Sequence, residues 1–181
     1  FLPPIQRTFH ETAALRPGQW TDDTQLALAI ARSLVRKGAF DLADIAKEHA
    51  VELDRRHTRG WGDSTRIGIE ELAAGRRQPG DAVLDPNAKG LGNGVAMKIA
   101  PLALFTSPFV TGQTVLGAFR EFAFQTCELA SLTHRDVCAT TGAQRVGLVV
   151  QSVSAMSGTA QFRPAPIFFL PVLASCAQCV E

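Results

Sequence analysis

Thr21-Asp22-Asp23-Thr24-Gln25-Leu26-Ala27-Leu28-Ala29-Ile30-Ala31-Arg32-Ser33-Leu34-Val35-Arg36-Lys37-Gly38 is the stretch that decides the fold. Leu26, Ala27, Ile30, Ala31 and Leu34 recur at i, i+3 and i+4, the spacing that lines one helix face. Thr21 suits the N-cap, two acids fill the first turn, and Gly38 suits a left-handed stop. The pattern predicts a helix over 22–37.

Outward from it, Asp41 caps a second predicted helix over 42–57, with Leu42, Ile45, Ala46, His49, Ala50 and Leu53 on one stripe. Further helical patterns cover 64–74, a short buried segment at 95–104, then 114–132 and 135–150. No stretch alternates with period two, and no internal period repeats, so the expected class is all-α, a compact multi-helix bundle. Residues 1–17, with Pro3, Pro4 and Pro17, read as irregular entry; 18–150 as the domain; 151–181 as an atypical tail with no assigned role.

Composition narrows the function classes. The chain has 181 residues, enough for one domain with a real core. Its 18 Lys and Arg against 17 Asp and Glu create no field for polyanions, so nucleic acid is not an expected partner. Residues 164–180 are uncharged, but Pro164, Pro166 and Pro171 interrupt them, and they fall short of the ~20 residues a bilayer crossing needs. No membrane partner is expected. Four cysteines and no secretory signal pattern make a cytoplasmic location the expectation. Cys176 and Cys179 have zinc-like spacing without a nearby His, and inert thiols are the simpler reading.

Four short motifs carry chemistry. Thr21-Asp22-Asp23-Thr24 gathers oxygen donors at a helix start, suited either to a hard divalent cation or simply to the helix dipole. Arg59-Gly60-Trp61-Gly62 puts glycines around an aromatic ring, fit for close backbone approach and stacking or for an ordinary turn. Gly90-Leu91-Gly92-Asn93-Gly94-Val95-Ala96-Met97-Lys98 offers free backbone N–H groups before a helix, as a diphosphate cradle or a structural loop. Thr133-His134 follows a helix and supplies either a ligand-facing imidazole or a C-terminal cap.

Taken in order, Trp20-Thr21-Asp22-Asp23-Thr24, Arg59-Gly60-Trp61-Gly62, Gly92-Asn93-Gly94-Val95-Ala96-Met97-Lys98-Ile99-Ala100-Pro101 and Leu132-Thr133-His134 resemble the ADP-ribosylglycohydrolase family. The resemblance implies a hydrolase that removes ADP-ribose from modified protein side chains or small conjugates, helped by two divalent ions, usually Mg2+. It implies Thr21, Asp22 and Asp23 as metal ligands, with Asp22 and Asp23 catalytic. It assigns Gly90, Leu91, Gly92, Asn93, Gly94 and Met97 to the ligand, His134 close to it, and Trp61 to the adjacent wall.

Two departures accompany it. Residues 1–15 lack the family's glycine-rich opening, and from Val137 onward there is no Asp, so the closing Gly-Asp-Thr-Asp-Thr motif that completes the metal site is missing. The chain also opens on Phe1 rather than Met. The expectation is an incomplete domain, inactive as it stands, arising from a fragment, a misassembled gene model or a shortened isoform. The alternative is a non-catalytic ADP-ribose-binding or structural, crystallin-like relative. Neither acceptor residue nor oligomeric state is legible.

Overall fold

In the computed structural model, residues 20–54, 60–86, 88–134 and 136–158 are described. The expectations for 1–17, His57, Arg59, Arg135, the tail beyond Gly158, and Cys176 with Cys179 lie outside them. The described elements are helical throughout: α1 Asp22–Lys37, α2 Leu42–Asp54, α3 Asp63–Ala73, a 3-10 turn Ala96–Lys98 leading into α4 Ala100–Phe105, then α5 Pro108–Thr111, α6 Val115–Ser131 and α7 Val137–Gly158. The all-α class holds. No described helix is long and apolar enough to cross a membrane.

The core follows the apolar stripes. Leu26 and Ile30 of α1, Ile45 of α2, Ile69 of α3, Leu102 of α4 and Phe122 of α6 are all fully buried in one cluster. α1 spans the predicted residues and closes on Gly38, at φ 64°, whose N–H donates to the Leu34 carbonyl. Asp41 caps α2 by accepting from the Asp44 N–H at 2.9 Å. Thr21 stands at the N-cap of α1 in extended conformation but makes no side-chain cap; its hydroxyl donates to Asp23 at 2.7 Å.

Charge laces α1 to α2 across their short turn. Arg32 pairs with Glu48 at 2.9 Å and with Glu52, and Arg36 with Glu48 at 2.7 Å and with Asp44. These pairs are partly exposed, and a single such pair contributes about 0–1 kcal/mol. They set the register of two helices that the apolar stripe already holds together.

A buried clasp joins α3 to the end of α6. The Arg77 and Glu71 side chains are 1% and 3% exposed and meet at 3.0 Å. Arg77 also donates to the carbonyls of Gly68 at 2.8 Å, Asp81 at 2.9 Å, Ser131 at 3.3 Å, and Leu132. Glu71 accepts the N–H groups of Leu84 and Asp85 at 2.9 and 2.8 Å. Gly68 is what permits the approach, because a Cβ there would stand 2.6 Å from the Leu132 carbonyl oxygen.

α7 runs to Gly158, past Val150 where the apolar pattern fades. The continuation is anchored by a polar residue instead: buried Gln151 donates to the Ala103 carbonyl and the Thr106 hydroxyl, both at 3.1 Å, at the end of α4. Gln151 thereby satisfies its own buried amide and ties α7 to the end of α4 beyond its hydrophobic stripe.

Two glycines of α7 make a paired test. A Cβ on Gly147 would lie 2.0 Å from Cζ of the fully buried Phe122, whereas one on Gly142 would meet nothing within 4 Å. Replacing helical Gly by Ala gains about 0.5–1 kcal/mol, and overpacking a rigid core costs about 1–3 kcal/mol. Gly142→Ala should therefore raise Tm and Gly147→Ala lower it, as read by thermal denaturation; two shifts of the same sign would contradict this packing.

Candidate functional site

The site begins at the start of α1. Asp22 is half-buried while Thr21 and Asp23 beside it are exposed. Burial, followed by the like charge of Asp23, pushes the Asp22 carboxyl up to about 6. Gly60, at φ 88°, brings bare backbone to its flank, where a Cβ would sit 3.6 Å from Asp22 Oδ1.

The glycine-rich loop supplies the opposite wall. Gly90 adopts φ 68° and its N–H donates to the Ser64 hydroxyl at 3.0 Å, tying the loop to the first turn of α3. The Asn93 carbonyl accepts from the Met97 N–H at 2.9 Å and starts the 3-10 turn. Gly94 has no room for a side chain: a Cβ would be 2.5 Å from Cε1 and 2.9 Å from Nε2 of His134, and 3.0 Å from the Thr65 hydroxyl.

His134 reaches that wall from the end of α6. Its N–H donates to the Ala130 carbonyl at 2.8 Å, so the backbone does help close the helix, and its Nδ1 lies 2.7 Å from the Thr133 hydroxyl. Burial, and then the nearby charge of Lys98, hold the imidazole down at about 4, so it is neutral near pH 7. Lys98 is 0% exposed and lies beneath the loop. Burial pushes its ammonium down to about 7 against the pull of Asp22. Asp22 acts on Lys98, whereas the causes that set the Asp22 carboxyl are burial and Asp23.

Between these walls lies a cleft of about 360 Å³. Of the residues singled out in the sequence, Asp22, the loop Gly90 to Gly94, Met97 and His134 all line it. Thr21 and Asp23 stand at the same helix start without lining the cleft. Trp61 is elsewhere: it is 8% exposed in the core, and its indole N–H donates to Gln25 at 2.9 Å. The ring needs a polar partner when buried, and the glycine beside it, Gly62, is what faces the cleft. Sequence reasoning missed Ser64 and Thr65, whose only signal was two hydroxyls at a helix start, and Lys98, hidden inside an apolar segment.

The donors at the start of α1 are all oxygens, which suits a hard cation. The Asp22 and Asp23 carboxylates together compensate the charge of one divalent ion, and Mg2+ commonly takes one or two carboxylates and completes its shell with water. The residues therefore fit one such ion. Among the described residues, no group of three or more His, Cys, Asp or Glu side chains comes together to hold a metal. Cys127 and Cys138 are exposed and form no disulfide among the described residues.

Comparison with known proteins bears on this arrangement. The sequence profile described as ADP-ribosylglycohydrolase matches residues 2–168. The chain is similar to the ADP-ribosyl-(dinitrogen reductase) glycohydrolase of Rhodospirillum rubrum, with 42% identity over 93 residues, covering 51% of this chain and 30% of that protein. It is similar to an ADP-ribosylhydrolase of Homo sapiens, 35% identical over 91 residues, covering 47% and 24%. It is also similar to the ADP-ribosylarginine hydrolase of Pseudomonas putida (strain GB-1), 34% identical over 98 residues, covering 50% and 25%. The chain thus matches between 24% and 30% of the length of these relatives.

The raised Asp22 carboxyl has a consequence for stability. A folded value near 6 against an ordinary value of 3.8 means that the folded state holds this proton more tightly. The stability it contributes is full below about 3.8 and lost as pH rises through about 6. His134 runs in the opposite direction, so the informative quantity is the difference between proteins that both keep it. In metal-free buffer, the Tm of Asp22→Asn relative to the unsubstituted protein should rise across that interval; a difference constant with pH would contradict the assignment.

Proposed function

The chain belongs to the ADP-ribosylglycohydrolase family, and on that premise we propose that its cleft takes ADP-ribose, the group removed from a modified protein side chain or a small conjugate. The single observation that supports the reading is convergence. Asp22 at one helix start, the loop Gly90, Leu91, Gly92, Asn93 and Gly94, and His134 at another helix end share one cleft. Nothing in chain order alone brings them there.

The roles follow from chemistry. Bare backbone at Gly90 to Gly94 lets a diphosphate and the distal ribose approach closely, as side-chain-free loops before helical turns do. Met97 gives the loop a soft apolar floor. Neutral His134 offers a hydrogen bond without charge. Asp22, Asp23 and the Thr21 hydroxyl hold one divalent ion, proposed to be Mg2+. When bound, that ion supplies charge to fix ribose hydroxyls and lower the pKa of water. Cleavage at the anomeric carbon builds oxocarbenium character, and an acceptor for the water proton is needed nearby. Asp22 is proposed as that acceptor, through a carboxylate oxygen that the ion leaves free.

Two carboxylates compensate one divalent ion and not a pair of them. For this 181-residue chain we accordingly propose ligand binding without measurable turnover.

Calorimetry and a hydrolysis assay test the reading together. ADP-ribose should bind with a Mg2+-enhanced affinity that Asp22→Asn or Asp23→Asn removes. Asn93→Ala should weaken binding by roughly tenfold, one hydrogen bond's worth, at unchanged Tm. An unchanged affinity with a lowered Tm would return the loop to a purely structural role. Mg2+-dependent release of ADP-ribose from a mono-ADP-ribosylated peptide would overturn the proposed inactivity.

A further inference from the structure

Lys98 is the one lysine that is fully buried, and no ion pair secures it among the described residues. Its Nζ donates to the Thr133 hydroxyl at 3.4 Å. The same hydroxyl lies 2.7 Å from His134 Nδ1, and the far edge of that imidazole, Cε1 and Nε2, abuts Gly94 at the cleft wall. Three side chains therefore form a line from beneath the loop to the ligand cleft.

Hydrogen-bond accounting fixes its direction. An ammonium only donates, so the bond from Lys98 uses a lone pair of the Thr133 oxygen. Thr133 is 0% exposed, and among the described residues its hydroxyl touches only Lys98 and His134 Nδ1. Its proton has one destination, Nδ1, because a buried hydroxyl left without an acceptor loses its solvation uncompensated. Nδ1 must then be unprotonated. The ring is neutral and carries one proton, which is left on Nε2, the nitrogen at the cleft.

We propose that Lys98 is a positioning residue that, through the Thr133 hydroxyl, holds His134 as the Nε2–H tautomer, a hydrogen-bond donor to an oxygen of the ligand in the cleft. This rests on the reading of the cleft as an ADP-ribose site. The role accounts for a buried cation that contributes little to stability. Replacing a poorly paired buried charge by an apolar residue of similar shape is often neutral or stabilising, so such a lysine is retained for what it orients.

The test reads the tautomer in the ligand-free protein and affinity separately. Long-range nitrogen–proton NMR of the His134 ring, recorded at a pH of about 6 where Lys98 is charged, should show Nε2 protonated and Nδ1 bare. Lys98→Met should fold, shift the ring toward the Nδ1–H form, and weaken ADP-ribose binding roughly tenfold by loss of one donor. Thr133→Val should do the same, and Thr133→Ser should restore both. An Nδ1–H ring in the unsubstituted protein, or a tautomer unmoved by both Lys98→Met and Thr133→Val, overturns the proposal. A correct tautomer shift with no ADP-ribose binding by the unsubstituted protein would sink the substrate reading and, with it, the ligand role given to the Nε2–H, while leaving the relay in place.

Discussion

A buried guanidinium holds the pieces of the site in register. Arg77 reaches carbonyls on both α3 and the end of α6, and its partner Glu71 gathers the N–H groups of the segment that leads into the glycine-rich loop. Three parts of the cleft adjoin this clasp: Ser64 and Thr65 at the start of α3, the loop beyond Asp85, and His134 after Leu132. The pair is costly to bury, and removing one partner would strand a charge at about 3–5 kcal/mol. Its satisfaction is near complete because Arg77 reaches the Gly68 carbonyl inside α3, the Asp81 carbonyl in a loop, and the Ser131 and Leu132 carbonyls at the end of α6. The close contact of Gly68 with Leu132 and of Gly94 with His134 follows from this anchoring, and both positions exclude a side chain.

Around that anchor the site is kept under electrostatic tension. Asp22 is raised by burial and by Asp23, Lys98 is lowered by burial, and His134 is lowered by burial and by Lys98. Near pH 7 neither the raised Asp22 nor the lowered Lys98 favours the folded state. A cleft that concentrates unpaired charges and bare backbone is one prepared for an oxygen-rich ligand and a cation. The stability required to hold it comes from elsewhere, in the apolar cluster shared by α1, α2, α4 and α6.

Much of this was legible in the sequence where local rules act alone. The limits of α1, its left-handed stop at Gly38 and the Asp41 cap are local, and each was readable from spacing. The Asp22, Gly-Asn-Gly and His134 elements were recognisable by type and order, although only the fold brings them to one cleft. What escaped depends on partners distant in sequence. Thr21 looked like a cap, yet its hydroxyl turns to Asp23. Trp61 looked like a pocket wall, yet Gln25 offers its N–H a buried acceptor. Lys98 stood inside the quoted loop motif with no role given to it, and α7 outlasted its stripe because Gln151 found acceptors on α4. Periodicity reports which face is apolar; it does not report which polar group has an appointment across the core.

The central claim is that one cleft unites the start of α1, the loop from Gly90 to Gly94 and His134. NMR titration of the labelled protein with ADP-ribose in the presence of Mg2+ tests it most directly. The account predicts that the amide signals of Gly92 and Gly94, the Asp22 amide and the His134 ring move together and saturate along one curve with a single Kd. Signals that move at a different surface, or a loop and an imidazole that saturate independently, would contradict it.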